Sequence, residues 1–94
     1  MKLTFEWNDE KAKENLKKHK ISFKEAKTVF GDTFLVTFSD IEHSESEQRH
    51  INIGTSSKGR VLVVVHAERG RNIRIISCRK ATIKERRAYE EGNF

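Results

Sequence analysis

The stretch from Arg60 to Lys80, RVLVVVHAERGRNIRIISCRK, limits what this chain can fold into more than any other. It is the one long apolar segment, and Val and Ile dominate both halves, as a pleated and largely buried surface favours. It reads as two strands, 60–68 and 72–79, joined by a turn carrying Gly70. Alternation puts Val61, Val63, Val65 and Ala67 on one face of the first arm. On the second arm Ile73 and Ile75 share a face. A three-residue turn, Arg69-Gly70-Arg71, aligns these apolar faces, with glycine supplying a positive φ. A two-residue turn would set Arg74 beside Val65 in the core, where an unpaired charge is expensive. The longer turn therefore predicts that His66 lies opposite Arg74. The other face then holds Arg60, Leu62, Val64, His66, Glu68, Asn72, Arg74, Ile76 and Cys78. That half-apolar, half-ionisable mixture suits the floor of a shallow site, or a two-sided sheet whose charges pair across strands.

The rest of the chain must cover one side of this hairpin. With 94 residues it has material for one core, so residues 1–94 read as a single domain. No run reaches the ~18–20 apolar residues of a membrane span, and MKLTFEW lacks a signal-peptide core, so a cytoplasmic location and no membrane partner are expected. A lone cysteine, Cys78, allows no internal disulfide and reads as a packed small residue. The net charge of +5 favours an anionic partner.

In chain order, Leu3 to Trp7 alternates as a short edge strand. Asn8 caps a helix reaching about His19, with Asp9 and Glu10 in its first turn and Lys11, Lys13, Lys17 and Lys18 on its outer side. Ser22-Phe23-Lys24-Glu25 reads as a capping box opening a second helix that buries Phe23, Ala26, Val29 and Phe30 and stops at Gly31. Residues 34–38 read as a strand. The acidic loop 39–48 fits neither a calcium nor a zinc spacing, so no metal and no cofactor are expected. Residues 49–55 form the next strand, with Ile51 and Ile53 toward the core and His50 and Asn52 beside His66. Thr82-Ile83-Lys84-Glu85 is a second capping box, opening a last helix with Ile83, Ala88 and Tyr89 inward. The class is α+β: an antiparallel twisted sheet of four to five strands, two N-terminal helices and one C-terminal helix. The helices are expected on the Val/Ile face, leaving the mixed face open.

His50, His66, Glu68, Arg60 and Arg74 gather on or beside that mixed face, and Arg49, Arg79 and Lys80 stand at strand ends. RNA cleavage without a metal needs a base for the 2′-hydroxyl, an acid for the leaving 5′-oxygen and cations for the developing phosphorane charge. Histidine and glutamate serve the first two roles, and arginine, with its planar fork, the third. A basic module without catalytic activity, acting as corepressor with a DNA-binding partner, satisfies the same composition.

Three segments, FEWNDEKAKENLKKHKISFKEAKTVFGD, RHINIGTSSKGRVLVVVH and RIISCRKATIKERRAYE, closely resemble the BrnT family of type II toxins. The linked motifs are the W-D/N-x-x-K-x-x-x-N-x-x-K-H start, the helix ending V-F-G-D, the R-x-x-x-I-G strand, and the I-S-x-R-x-A-x-x-x-E-R-R-x-Y-E end. The resemblance implies a RelE-like ribonuclease-toxin fold, RNA cleavage that arrests translation, no metal requirement, and neutralisation by a BrnA-like antitoxin through which alone operator DNA is met. It places Lys18 and His19 in the K-H element, Arg49 in the R-x-x-x-I-G strand, Arg60 in the G-R step and Arg79 in I-S-x-R. Lys20 stands where the family usually has glycine. With His66 and Glu68, which strand geometry alone brings forward, the expected catalytic set is Arg49, Arg60, His66, Glu68, Arg74 and Arg79, with Lys18, His19, His50 and Lys80 binding RNA.

Overall fold

A computed structural model of the chain describes residues 3–43 and 47–92. Among them, β1 (Thr4–Glu6) leads into α1 (Asp9–His19) and α2 (Phe23–Lys27), which runs on into a 3-10 turn at Thr28–Gly31. Then follow β2 (Val36–Ser39), a 3-10 turn at Ile41–His43, β3 (Arg49–Thr55), β4 (Val61–Arg69), β5 (Asn72–Lys80) and α3 (Ile83–Glu91). The strands form one sheet in the order β1-β5-β4-β3-β2. Every pairing is antiparallel except β1 with β5, which is parallel. The α+β class and the order of helices along the chain agree with the sequence. The N-terminal strand is an edge strand, as its pattern suggests, but it lies parallel because α1 and the rest of the chain intervene before β5 returns beside it.

The helix starts follow their caps. Asn8 Oδ1 accepts from the Lys11 amide at 3.0 Å, and Ser22 Oγ accepts from the Glu25 amide at 3.0 Å. At α3 the Thr82–Glu85 box is complete, with reciprocal bonds of 3.1 and 2.8 Å. The Ser22–Glu25 box is only half made, because the Glu25 carboxylate turns away to bind Arg60 and Ser56. Lys20 ends α1 with φ 60° and ψ 30°, the left-handed geometry that glycine adopts freely. The turn is kept and the lysine bears the strain, about 1 kcal/mol.

The hairpin register differs from expectation. Arg69 pairs with Asn72, so the turn has two residues, Gly70 and Arg71, with Gly70 at φ 62°. A β-bulge then intervenes: Val65 pairs with Ser77 but His66 pairs with Ile75, which leaves Ile76 as the extra residue. The two-residue turn by itself sets Arg74 opposite Ala67, not His66, before the bulge is reached. The bulge reverses the parity of β5, so Ile75 and Cys78 share a face with Leu62, Val64 and His66.

That is the face the helices cover. Ile21, Phe23, Ala26 and Val29 pack on Leu62, Val64, Ile75 and Cys78, with Phe5, Trp7, Ala12, Phe30 and Leu35 around them. Each buried Leu, Val or Ile contributes about 1.5–3 kcal/mol. The expectation that the helices cover Val61, Val63 and Val65 is thus reversed, and the mixed face is closed rather than open. The error has a physical source. Alternation tells which side chains of β4 share a face, but both faces of β4 are aliphatic, so it does not tell which of them α1 and α2 cover. The charge penalty invoked against the two-residue turn also vanishes, because the face that receives Arg74 is not under α1 and α2.

Candidate active site

Two faces of one sheet divide the candidate residues. Under the helices, Asn52 is fully buried on β3 and His66 is 3% exposed on β4. Thr37 Oγ1 donates to Asn52 Oδ1 at 2.7 Å, and Asn52 Nδ2 donates to the Val64 carbonyl at 2.9 Å. These two bonds fix the amide, so its NH₂ also faces His66 Nδ1, at 2.6 Å. Nδ1 is then the acceptor, and the neutral ring carries its proton on Nε2. That nitrogen is buried and 3.7 Å from Glu68 Oε1, beyond hydrogen-bond distance. Phe30 packs edge-on against the ring, and His50 stacks on it with centroids 4.9 Å apart. Burial pushes the His66 imidazolium down, the neighbouring His50 pushes further, and Glu68 offsets only part.

His50, His66 and Glu68 bring ligand atoms within 4.8 Å of one another, a geometry that three metal ligands also have. The tautomer opposes ligation. A metal on Nε2 requires the proton on Nδ1, facing an acceptor, and Asn52 presents a donor there. As the group stands, it holds β3 to β4 under Phe30.

Arg60 belongs to the same half of the molecule. Its guanidinium binds both oxygens of Glu25, Nε to Oε2 at 2.9 Å and Nη2 to Oε1, while Ser56 Oγ donates to Oε2 at 2.7 Å. The Arg60 hydrogen bond holds the Glu25 carboxyl below its ordinary range against the opposing effect of burial. Lys80 lies nearby at the strand end, exposed, in a hollow of about 340 Å³ shared with Arg60 and Arg86. Lys18 and His19 line a separate cavity of about 290 Å³ between α1 and the bulged part of β5. Cys78 is buried, its thiol pushed up to about 11 by burial and bonded by Asn15, as expected of a packing residue.

The opposite face carries Arg49, Ile51 and Ile53 from β3, Val61, Val63, Val65 and Ala67 from β4, and Arg74, Ser77 and Arg79 from β5. Arg49, Ala67, Arg74 and Glu6 form one row across four strands. Arg79 stands two rows further along, about 13 Å at the usual strand rise. Half-buried arginines stand beside Val63 and Ala67 on this surface. Arg74 Nη1 is 2.5 Å from Glu47 Oε1, a partner the sequence reading left among generic loop acids. Arg79 makes a bidentate pair with Glu85, 2.7 and 2.9 Å. Arg79 is the main cause that lowers the Glu85 carboxyl to about 2. This pair and the Tyr89 hydroxyl, which donates to Asp32 and lies 3.1 Å from Thr55 Oγ1, tie α3 to the sheet. No residue of α3 is buried, and Ile83, expected inward, is 70% exposed.

Several motif residues therefore form the frame. Asp32, at the end of V-F-G-D, accepts from the Thr55 amide at 2.8 Å. Gly54, in R-x-x-x-I-G, lets that loop approach: a Cβ there would sit 2.8 Å from Leu35 Cδ1 and 3.2 Å from Asp32 Oδ2. Asn15, buried in α1, donates to the Ile21 carbonyl and to Cys78 Sγ and accepts from the Cys78 amide, all at 3.1 Å.

The family model of ribonuclease toxin BrnT, of type II toxin–antitoxin systems, matches residues 7–85. The chain belongs to the BrnT family. The crystal structure of the Brucella abortus ribonuclease toxin BrnT superposes with a TM-score of 0.66 at 19% identity, over 86% of this chain and 99% of that one. That likeness extends the family match to the fold. No curated protein matches the chain. Among the described residues no helix is long and apolar enough to cross a membrane. The BrnT membership carries ribonuclease-toxin identity within a type II system. The arginine face is where this BrnT chain gathers cationic groups outside the helix-packed core.

Proposed function

We propose that this BrnT-family chain is a metal-independent endoribonuclease whose RNA lies across the arginine face, with a BrnA-like antitoxin neutralising it there. The observation that carries the reading is the Arg49–Ala67–Arg74 row with Arg79 on the same side of the sheet. Guanidiniums spaced over about 13 Å serve successive phosphates, and those beside the scissile one stabilise its developing charge. Glu47, held against Arg74, is the carboxylate placed to take the 2′-hydroxyl proton, and the 5′-oxygen that leaves as the cyclic phosphate forms takes its proton from solvent water. His66 and Arg60 act from the other face as frame residues, and Glu68 and His50 lie beside His66 away from the arginine row. Lys18, His19 and Lys80 guide RNA approaching the sheet edge by charge alone. Cleavage of messages in this way would arrest translation.

Incubation of purified protein with end-labelled RNA in EDTA tests the reading. Discrete cuts that vanish in Arg74→Ala, in a variant that melts like wild type, are expected. Intact RNA with folded wild-type protein contradicts it.

A further inference from the structure

Beside Arg74, at the corner of the arginine face, a cavity of about 260 Å³ is lined by Glu6, Trp7, Asn8, Arg69 and Arg74. Glu6 ends β1 directly across from Arg74, and Trp7 follows it. Arg69 comes from the far end of β4, its Nη1 3.8 Å from Glu6 Oε1. At that distance the pair is loose, and both side chains are well exposed. Trp7 is anchored on its other side by Phe23, edge-on at 6.0 Å between centroids. The corner thus combines a carboxylate not fully engaged and two guanidiniums on the same side of the sheet as the cationic row, with Trp7 at its rim, its indole packed on Phe23.

We infer that this corner is a nucleotide subsite that selects guanine, with Glu6 reading the base and Trp7 supporting it. The inference rests on RNA being the ligand of the arginine face. Guanine alone among the four bases presents two adjacent donors, N1–H and N2–H, on its Watson–Crick edge. A carboxylate accepts both at once. Adenine and cytosine set an acceptor beside their single amino donor, which a carboxylate repels, and uracil flanks its one N–H with carbonyls. Bases splayed from single-stranded RNA are held by aromatic and guanidinium planes, and phosphates by arginine, which assigns the roles of Trp7, Arg69 and Arg74. Asn8 contributes the wall; its amide oxygen is already used in capping α1.

Trp7 is the chain's only tryptophan, so its fluorescence reports on this corner independently of cleavage. The probes are 2′-O-methyl hexanucleotides, which cannot be cut for want of a 2′-hydroxyl: one guanine in a uridine background, the same with adenine, and all-uridine. The guanine probe is expected to quench Trp7 and to bind about ten-fold or more tighter than the adenine probe, with the ratio collapsing toward one in Glu6→Gln. An isosteric change at a partly exposed edge residue leaves the fold intact, which a thermal melt checks. Equal affinity for the two probes, no quenching by any of them, or a guanine preference that survives Glu6→Gln overturns the inference. Cut sites mapped on unmodified RNA separate the two proposals. Guanine-selective quenching without any cleavage leaves the subsite standing and removes the ribonuclease reading. Cleavage with no base preference in either assay does the reverse.

Discussion

The two faces of the sheet are built from alternate residues of the same strands and have opposite uses for polar groups. Under α1 and α2, polar side chains are few and, His66 Nε2 apart, bonded to one another or to the backbone: Asn15 on Cys78, Asn52 on Thr37, Val64 and His66, Glu25 on Arg60 and Ser56. Each bond there offsets the cost of burial and fixes one packing arrangement. Across the sheet, Arg49, Arg74 and Arg79 are half-buried over aliphatic neighbours, and Arg74 and Arg79 are paired with glutamates from loops or helix ends. The difference teaches that an ionisable residue in a strand is informative only once its face is known. Arg60 and Arg74 look alike in sequence, yet one pairs with the buried Glu25 of α2 and the other with the loop residue Glu47 on the opposite face.

The largest effect that sharpens this contrast is at Glu25. Its replacement by Ala strips the partner from Arg60 and opens a void under α2, with a loss of about 3 kcal/mol. Chemical denaturation should show it, together with a melting temperature lower by more than ~10 °C. Next is Arg74→Ala, which should lower the rate of RNA cleavage about 100-fold, the usual cost of one group stabilising transition-state charge, while stability stays within about 1 kcal/mol of wild type. If Arg60→Ala lost cleavage while keeping its melt, and Arg74→Ala did the reverse, the assignment of faces would be inverted.

Acid titration separates the faces again. Glu85 titrates near 2 in the folded chain against an ordinary 4.5, so its contribution is complete above about pH 4.5 and is lost as pH falls toward 2. With Arg79 partly in solvent that contribution is about 1 kcal/mol. Glu85→Gln should flatten that limb of a stability–pH curve. His66 works from the covered face in the same direction but at higher pH. Its imidazolium is disfavoured in the fold, so stability begins to fall as pH drops below its ordinary 6.5. A curve flat from pH 7 down to 5 would mean that the ring is not enclosed as described. The smallest effect is at Lys20, where Lys20→Gly should raise stability by about 0.5–1 kcal/mol by relieving the left-handed backbone.

Much of the fold was legible locally. Caps at Asn8, Ser22 and Thr82, the hairpin around Gly70 and the edge character of the first strand are written in short-range patterns and stand in the structure. The faces were not legible, because the turn is one residue shorter than the charge argument favours, Ile76 then reverses the parity of β5, and no local signal in RNIRIISC marks either. The turn explains why the single constellation of Arg49, Arg60, His66, Glu68, Arg74 and Arg79 does not assemble: with two residues instead of three it sets Arg74 opposite Ala67 and away from His66. Histidine and arginine drawn together by a simple ladder end on opposite sides. Glu47, Glu6 and Trp7 escaped notice as site residues for another reason: their place depends on which strand lies beside β5 and on where a loop returns, both long-range facts. A parallel β1 next to Arg74 was the missing information.

The central claim is that RNA meets the arginine face, and β4 offers a direct test because its side chains alternate. In protein carrying carbon-13 methyl labels on Val and Leu, an uncleavable 2′-O-methyl RNA should shift the methyl resonances of Val63 and Val65 while those of Leu62 and Val64 stay in place. Shifts at Leu62 and Val64 with Val63 and Val65 unmoved would contradict the account.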